Sequence, residues 1–167
     1  MFDIAQAAIA MDGSGPCEFI PKGYNGTEYL TMKYGNGIVM TEQPYREEGG
    51  KGISFNGTKG WVKVARGHIE CSDASLLQKE EKIVREGQFE ISPAHMQNFI
   101  DAVRSRKNPI APVEVGCSTN TLCCIANIAT ELQRSVKWDP AILSFGDDVE
   151  AGSHRLYHYP YRKPYSL

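Results

Sequence analysis

Four histidines and five cysteines are the side chains in this sequence best suited to catalysis or metal binding. His154 and His158 are four residues apart, so they would share one face of a helix and could hold a metal ion. No third ligand stands at a suitable spacing, and such a pair is more often a solvated surface pair than a metal site. His68, in a predicted strand, and His95, in a first helical turn, are interpreted as structural.

The cysteine pattern indicates reduced, mostly buried thiols. The number of cysteines is odd, none forms a C-x-x-C motif and two are adjacent, which predicts neither a disulfide framework nor a zinc site. No local Ser/His/Asp or Cys/His arrangement indicates a nucleophile. The cysteines are Cys17, Cys71, Cys117, Cys123 and Cys124.

The glycine pattern contains no recognisable cradle for a nucleotide. No G-x-G-x-x-G follows a predicted strand, and no G-x-x-x-x-G-K-[ST] occurs. The glycine cluster at 49–52 does not open a helix and is interpreted as a loop. We therefore expect this chain to bind no cofactor by itself.

Basic and aromatic residues alternate in the C-terminal segment 154–165. This pattern is compatible with stacking on single-stranded nucleic acid. The alternative is a tail that packs against the body of the protein or against a neighbouring subunit. The net charge of −2 favours the alternative, because the chain as a whole does not attract nucleic acid. We expect no nucleic-acid partner.

The elements that would position these residues are an N-terminal helix, a block of strands and then further helices. The turn at Asn36-Gly37 and other short connections allow only antiparallel neighbours, which predicts a meander of about five strands. Pro93 after Ser92 marks the start of a helix whose residues Met96, Phe99, Ile100 and Val103 form one apolar stripe. The predicted helices are 2–11, 92–107, 116–134 and 147–157, and the predicted strands are 17–20, 28–34, 38–41, 53–55, 61–65, 68–72 and 136–138.

This order predicts a single α+β domain over residues 1–167, with an open, mostly antiparallel sheet and helices packed on one face. The other sheet face must meet solvent or a partner, so we expect a homo-oligomer that assembles through it. A hydrophobic share of 41 % and a charged share of 23 % are typical of a soluble protein. The sequence has no apolar run of transmembrane length and no signal peptide, which predicts a cytoplasmic protein without a membrane partner. No capping residue precedes the first helix, and we expect an upstream part to be missing.

Several stretches resemble the glucose–fructose oxidoreductase / inositol dehydrogenase / MocA family, and together they span nearly the whole chain. The most distinctive is NFIDAVRSRKNP at 98–109, continued by 112–116 and 127–129. The others are FDIAQAAIAMD at 2–12, GWVKVARGHIE at 60–70 and YRKPYSL at 161–167.

The resemblance implies the C-terminal α/β domain of a two-domain enzyme whose N-terminal Rossmann domain binds NAD or NADP. Such enzymes move a hydride from a sugar or cyclitol to the nicotinamide while a general base takes the hydroxyl proton. The family's base is a histidine that would lie just upstream of Phe2, and its helper lysine belongs to the dinucleotide domain. We therefore expect no catalytic residue within this chain.

The resemblance also indicates which residues would contact the substrate. Asp3 follows the position of the family's histidine, although its alternative role is an exposed carboxylate that favours the helix dipole. Arg66, His68 and Cys117 are the further candidates. Cys117 stands where family members often have histidine, so a polar contact with the substrate is lost there, and Met1 stands where a second histidine is common.

The sequence thus predicts the substrate-binding and assembly domain of an NAD(P)-dependent sugar or cyclitol dehydrogenase, inactive alone. The alternative is a non-catalytic module for binding or self-assembly.

Overall fold

A computed structural model describes residues 1–45, 50–65, 68–77, 93–159 and 161–165. It divides the chain into two compact units. The larger unit comprises residues 2–44 and 114–167, and the smaller unit comprises Met1 and residues 45–113. The helices are α1 (Phe2–Ala8), α2 (Pro93–Ser105), α3 (Val113–Leu132) and α4 (Val149–Gly152). The strands are β1 (Pro16–Ile20), β2 (Leu30–Tyr34), β3 (Val39–Glu42), β4 (Gly52–Gly57), β5 (Gly60–Ala65), β6 (His68–Cys71) and β7 (Val136–Lys137).

The larger unit contains a four-stranded antiparallel sheet in the order β3-β2-β1-β7. Phe19 pairs with Met32 on one side and with Val136 on the other, so these three side chains share a face. All three are fully buried against the apolar stripe of α3. Burial of large apolar side chains of this kind is the main favourable contribution to folding. The stripe consists of Leu122, Ile125, Ile128 and Ala129.

The opposite face of this sheet is polar. Glu18 lies opposite Lys33 on one neighbouring strand and opposite Lys137 on the other. Lys33 donates a hydrogen bond to Glu18 (Nζ–Oε2 3.0 Å), and Ser135 donates a second one (Oγ–Oε1 2.8 Å). These two bonds hold the pKa of Glu18 below its usual value. A face with paired charges of this kind is suited to water.

The smaller unit contains a three-stranded antiparallel sheet in the order β4-β5-β6, together with α2. Helix α2 begins at Pro93, as the sequence predicts. Its apolar stripe is exposed, with fractions from 40 % at Ile100 to 57 % at Phe99.

The α+β class with open antiparallel sheets is confirmed. The expectation of one continuous meander is wrong in detail, because β3 and β4 pair in different sheets. The last predicted helix is also too long: α4 has four residues, and turns occupy most of 153–158. Asp148 caps α4 at its start, and Ser153 ends the helical hydrogen bonds. The predicted cap Ser92 lies outside the described residues.

Candidate functional site

Asp3 lies in the first turn of α1, and its side chain is exposed. A carboxylate at a helix start is favoured by the helix dipole. Its exposure also allows it to accept a hydrogen bond from a small polar ligand. One turn later on the same helix, Gln6 is completely buried.

Gln6 connects α1 to α3 and to β2. Its Nε2 donates to Ser118 Oγ on α3 (3.2 Å), and its Oε1 accepts a long hydrogen bond from the Tyr34 hydroxyl on β2 (3.4 Å). Ser118 in turn donates to the carbonyl oxygen of Ser14 (2.8 Å). A buried amide is costly unless it is hydrogen-bonded, so these bonds fix the position of α1 against α3.

Tyr34 closes this network on the side of the sheet. It is 4 % exposed, and burial raises the pKa of its phenol to about 12. The hydroxyl therefore stays protonated over the whole physiological range and acts as a donor to Gln6.

Cys117 is exposed on α3 and directly precedes Ser118. Because Ser118 bonds to Gln6, and Gln6 lies one turn after Asp3, the network joins the two helix segments that carry Asp3 and Cys117. The structure thus places these two predicted residues on neighbouring elements. Both side chains are exposed.

His68 belongs to the smaller unit, where it is exposed at the start of β6. Its Nε2 hydrogen-bonds to Glu70, two residues later on the same face of the strand. The predicted residue Arg66 lies outside the described residues.

The described strands do not form the parallel arrangement of the Rossmann dinucleotide-binding fold. All strand pairs among the described residues are antiparallel, whereas the dinucleotide fold needs parallel strands joined by a helix. In the same part of the chain, no group of three His, Cys, Asp or Glu side chains could hold a metal ion. No helix there is long and apolar enough to span a membrane.

Comparison with known families decides what kind of domain this is. The family described as an oxidoreductase family, C-terminal alpha/beta domain, matches residues 31–167. The chain belongs to this family. It is the family of glucose–fructose oxidoreductase, inositol dehydrogenase and MocA that the sequence motifs resemble. No curated protein and no solved structure shows significant similarity to the chain.

The sequence did not reveal the buried hydrogen-bond network around Gln6 in this oxidoreductase domain. Gln6 and Ser118 are 112 residues apart, and Gln6 and Tyr34 are 28 apart. No local pattern links residues at such separations. The one available signal is Gln6 itself, a polar residue in an otherwise apolar stretch of α1.

Proposed function

We propose that this chain is the substrate-binding domain of an NAD(P)-dependent sugar or cyclitol dehydrogenase. The observation that carries the proposal is the match of residues 31–167 to the C-terminal α/β domain of an oxidoreductase family. In this proposal another domain holds the nicotinamide and the general base. The chain binds and orients the alcohol and does not turn over alone.

Asp3 and Cys117 are the residues of the larger unit that we assign to the substrate. The Asp3 carboxylate is exposed and can accept a hydrogen bond from a substrate hydroxyl. Cys117 presents a small, weakly polar and exposed group on α3, directly before the residue that bonds to Gln6. Gln6 has no access to solvent and acts as a positioning residue for both helices.

Calorimetric titration of the purified chain with monosaccharides and cyclitols tests the binding role. We expect weak binding of at least one of them, with affinity about tenfold lower in Asp3→Asn, because a charge-assisted hydrogen bond is lost. Asp101→Asn, which changes an exposed aspartate on α2, is the matched control and should bind like the unchanged chain. Failure of every monosaccharide and cyclitol to bind would contradict the proposal.

A second assay addresses turnover. Adding NAD or NADP to the chain with each sugar should produce no reduced cofactor, measured by its absorbance. Steady formation of NADH or NADPH by the chain alone would overturn the assignment of cofactor and base to another domain.

Self-assembly through the open sheet face stays a prediction. The paired charges of Glu18 and Lys33 on that face of the larger unit suit water better than a dry interface. Size-exclusion chromatography with light scattering measures the oligomeric state. A monomer would contradict assembly through the sheet face, and it would count against the alternative of a pure self-assembly module.

A further inference from the structure

The three-stranded sheet of the smaller unit has two faces of opposite character. Cross-strand pairs place Ile53, Val64 and Ile69 in one row and Phe55, Val62 and Cys71 in the next, all on one side. This side is apolar. The other side, which we call the polar face, carries Ser54, Asn56, Trp61, Lys63, His68 and Glu70.

Trp61 is the large apolar side chain on this otherwise mostly polar face. It pairs with Asn56, and alternation along β5 places it on the same side as Lys63. The Lys63 ammonium lies 5.1 Å from the centre of the indole ring, which confirms that the ring is on this side. The indole is partly exposed.

A second aromatic ring lies at the other end of the polar face. The ring of Tyr45 lies over Gly52, so close that a Cβ at this position would overlap it. Gly52 is two residues from Ser54 on β4, so a Cβ at Gly52 would point to the same side of the sheet as the Ser54 side chain. The Tyr45 ring therefore lies on the polar face. The row of Gly52 is four residues from the row of Trp61, or about 13 Å along the strands.

Hydrogen-bonding groups of both kinds lie between the two rings. Ser54, Lys63 and Glu70 form one continuous row across the three strands. His68 is exposed beside them and bonds to Glu70. The positive charge of Lys63 is offset by the negative charge of Glu70, so the row favours a neutral ligand over an anionic one.

We propose that the polar face is a binding surface for a neutral oligosaccharide. A sugar ring presents an apolar C–H face, which stacks on an aromatic ring, and a rim of hydroxyl groups that donate and accept hydrogen bonds. Trp61 and Tyr45 supply the two aromatic platforms, and their separation requires a ligand of more than one sugar unit. Lys63 and Glu70 supply the donor and the acceptor between them. This inference stands on the geometry of the smaller unit and does not depend on the dehydrogenase proposal.

Titration of the full chain with neutral hexasaccharides tests the inference by calorimetry. The probes are hexamers of β-1,4-linked glucose, α-1,4-linked glucose, β-1,4-linked xylose and β-1,4-linked mannose. We expect at least one to bind, and Trp61→Leu and Tyr45→Leu each to weaken it about tenfold, because an aromatic contact is lost. Phe55→Leu is the matched control, since it also replaces an aromatic ring by leucine but on the opposite face of the same hairpin.

Circular dichroism of each variant shows whether the sheet is retained. The inference is overturned if no hexasaccharide binds at millimolar concentration, if Trp61→Leu binds like the unchanged chain, or if Phe55→Leu weakens binding as much as Trp61→Leu. Loss of hexasaccharide binding in Asp3→Asn would show that the ligand occupies the Asp3 site instead and would also overturn the inference. The two proposals therefore fail separately: one through monosaccharides and Asp3, the other through hexasaccharides and Trp61.

Discussion

The phenol of Tyr34 shows how burial changes the chemistry of a single residue. Its hydroxyl reaches Gln6 at 3.4 Å, a long bond that adds little by itself. Removal from water has the larger effect, because the phenolate is poorly solvated in the interior. The pKa of Tyr34 therefore rises from 10.0 to about 12, while an unfolded chain retains the ordinary value.

Tyr34→Phe should change the alkaline stability of the protein. Between pH 10.0 and about 12 the unfolded chain loses the Tyr34 proton and the folded chain keeps it, so rising pH favours unfolding. We expect this residue to account for a loss of about 2–3 kcal/mol across that range, a loss that is absent in Tyr34→Phe. Urea unfolding at several alkaline pH values measures it. Parallel pH curves for the two proteins would exclude the ionisation of Tyr34 as the cause.

At the scale of elements, an ion-pair network holds the segment that follows α3 to the start of α4. Arg134 donates two parallel hydrogen bonds to Asp148, at 2.7 and 2.8 Å, and further bonds to Glu150. Asp148 also caps α4 by accepting a bond from the backbone of Ala151 (3.1 Å). The Arg134 guanidinium is the main reason that the pKa of Asp148 lies below 3.8.

Two substitutions of Asp148 separate its two roles. Asn caps a helix as well as Asp does, so Asp148→Asn removes only the ion pair and should cost about 1 kcal/mol of unfolding free energy at neutral pH. Asp148→Ala also removes the cap and should cost about 1 kcal/mol more.

The cost of Asp148→Asn should depend on pH. The lowered pKa of Asp148 means that its stabilisation is present above the ordinary value of 3.8 and is lost as the pH falls through the lower, folded value. Urea unfolding at neutral and strongly acidic pH should show the difference from the unchanged chain disappearing in acid. The exposed neighbour Asp147 serves as the control, and a pH-independent difference for Asp148→Asn would exclude the ion pair as its cause.

At the scale of the whole molecule, burial is unequal between the two units. Among the described residues, every buried hydrophobic side chain belongs to the larger unit. The sheet of the smaller unit is at best partly buried, and α2 has no buried residue. Segments with little buried apolar area open at lower free energy.

Hydrogen exchange followed by mass spectrometry should therefore differ between the units. We expect amides of β1, β2 and α3 to exchange much more slowly than those of β4, β5 and α2. Equal protection throughout would mean that the chain opens as one cooperative body, as the prediction of a single domain expects.

The sequence by itself determined the type and order of most elements and the family. Short turns such as Asn36-Gly37 force antiparallel neighbours, and the 3.6-residue spacing in α2 and α3 indicates helices, because these signals act between residues close in the chain. The family motifs at 60–70 and 98–109 are likewise recognisable from neighbouring residues alone, and both lie within the matched region.

Only the tertiary structure decided which distant segments meet. The contact between Gln6 and Ser118 joins residues 112 positions apart, and the break between β3 and β4 divides the predicted meander into two sheets. The exposed stripe of α2 has the same apolar spacing as the buried stripe of α3. Periodicity states which side chains share a face, whereas packing between segments that are remote in sequence determines whether that face is covered.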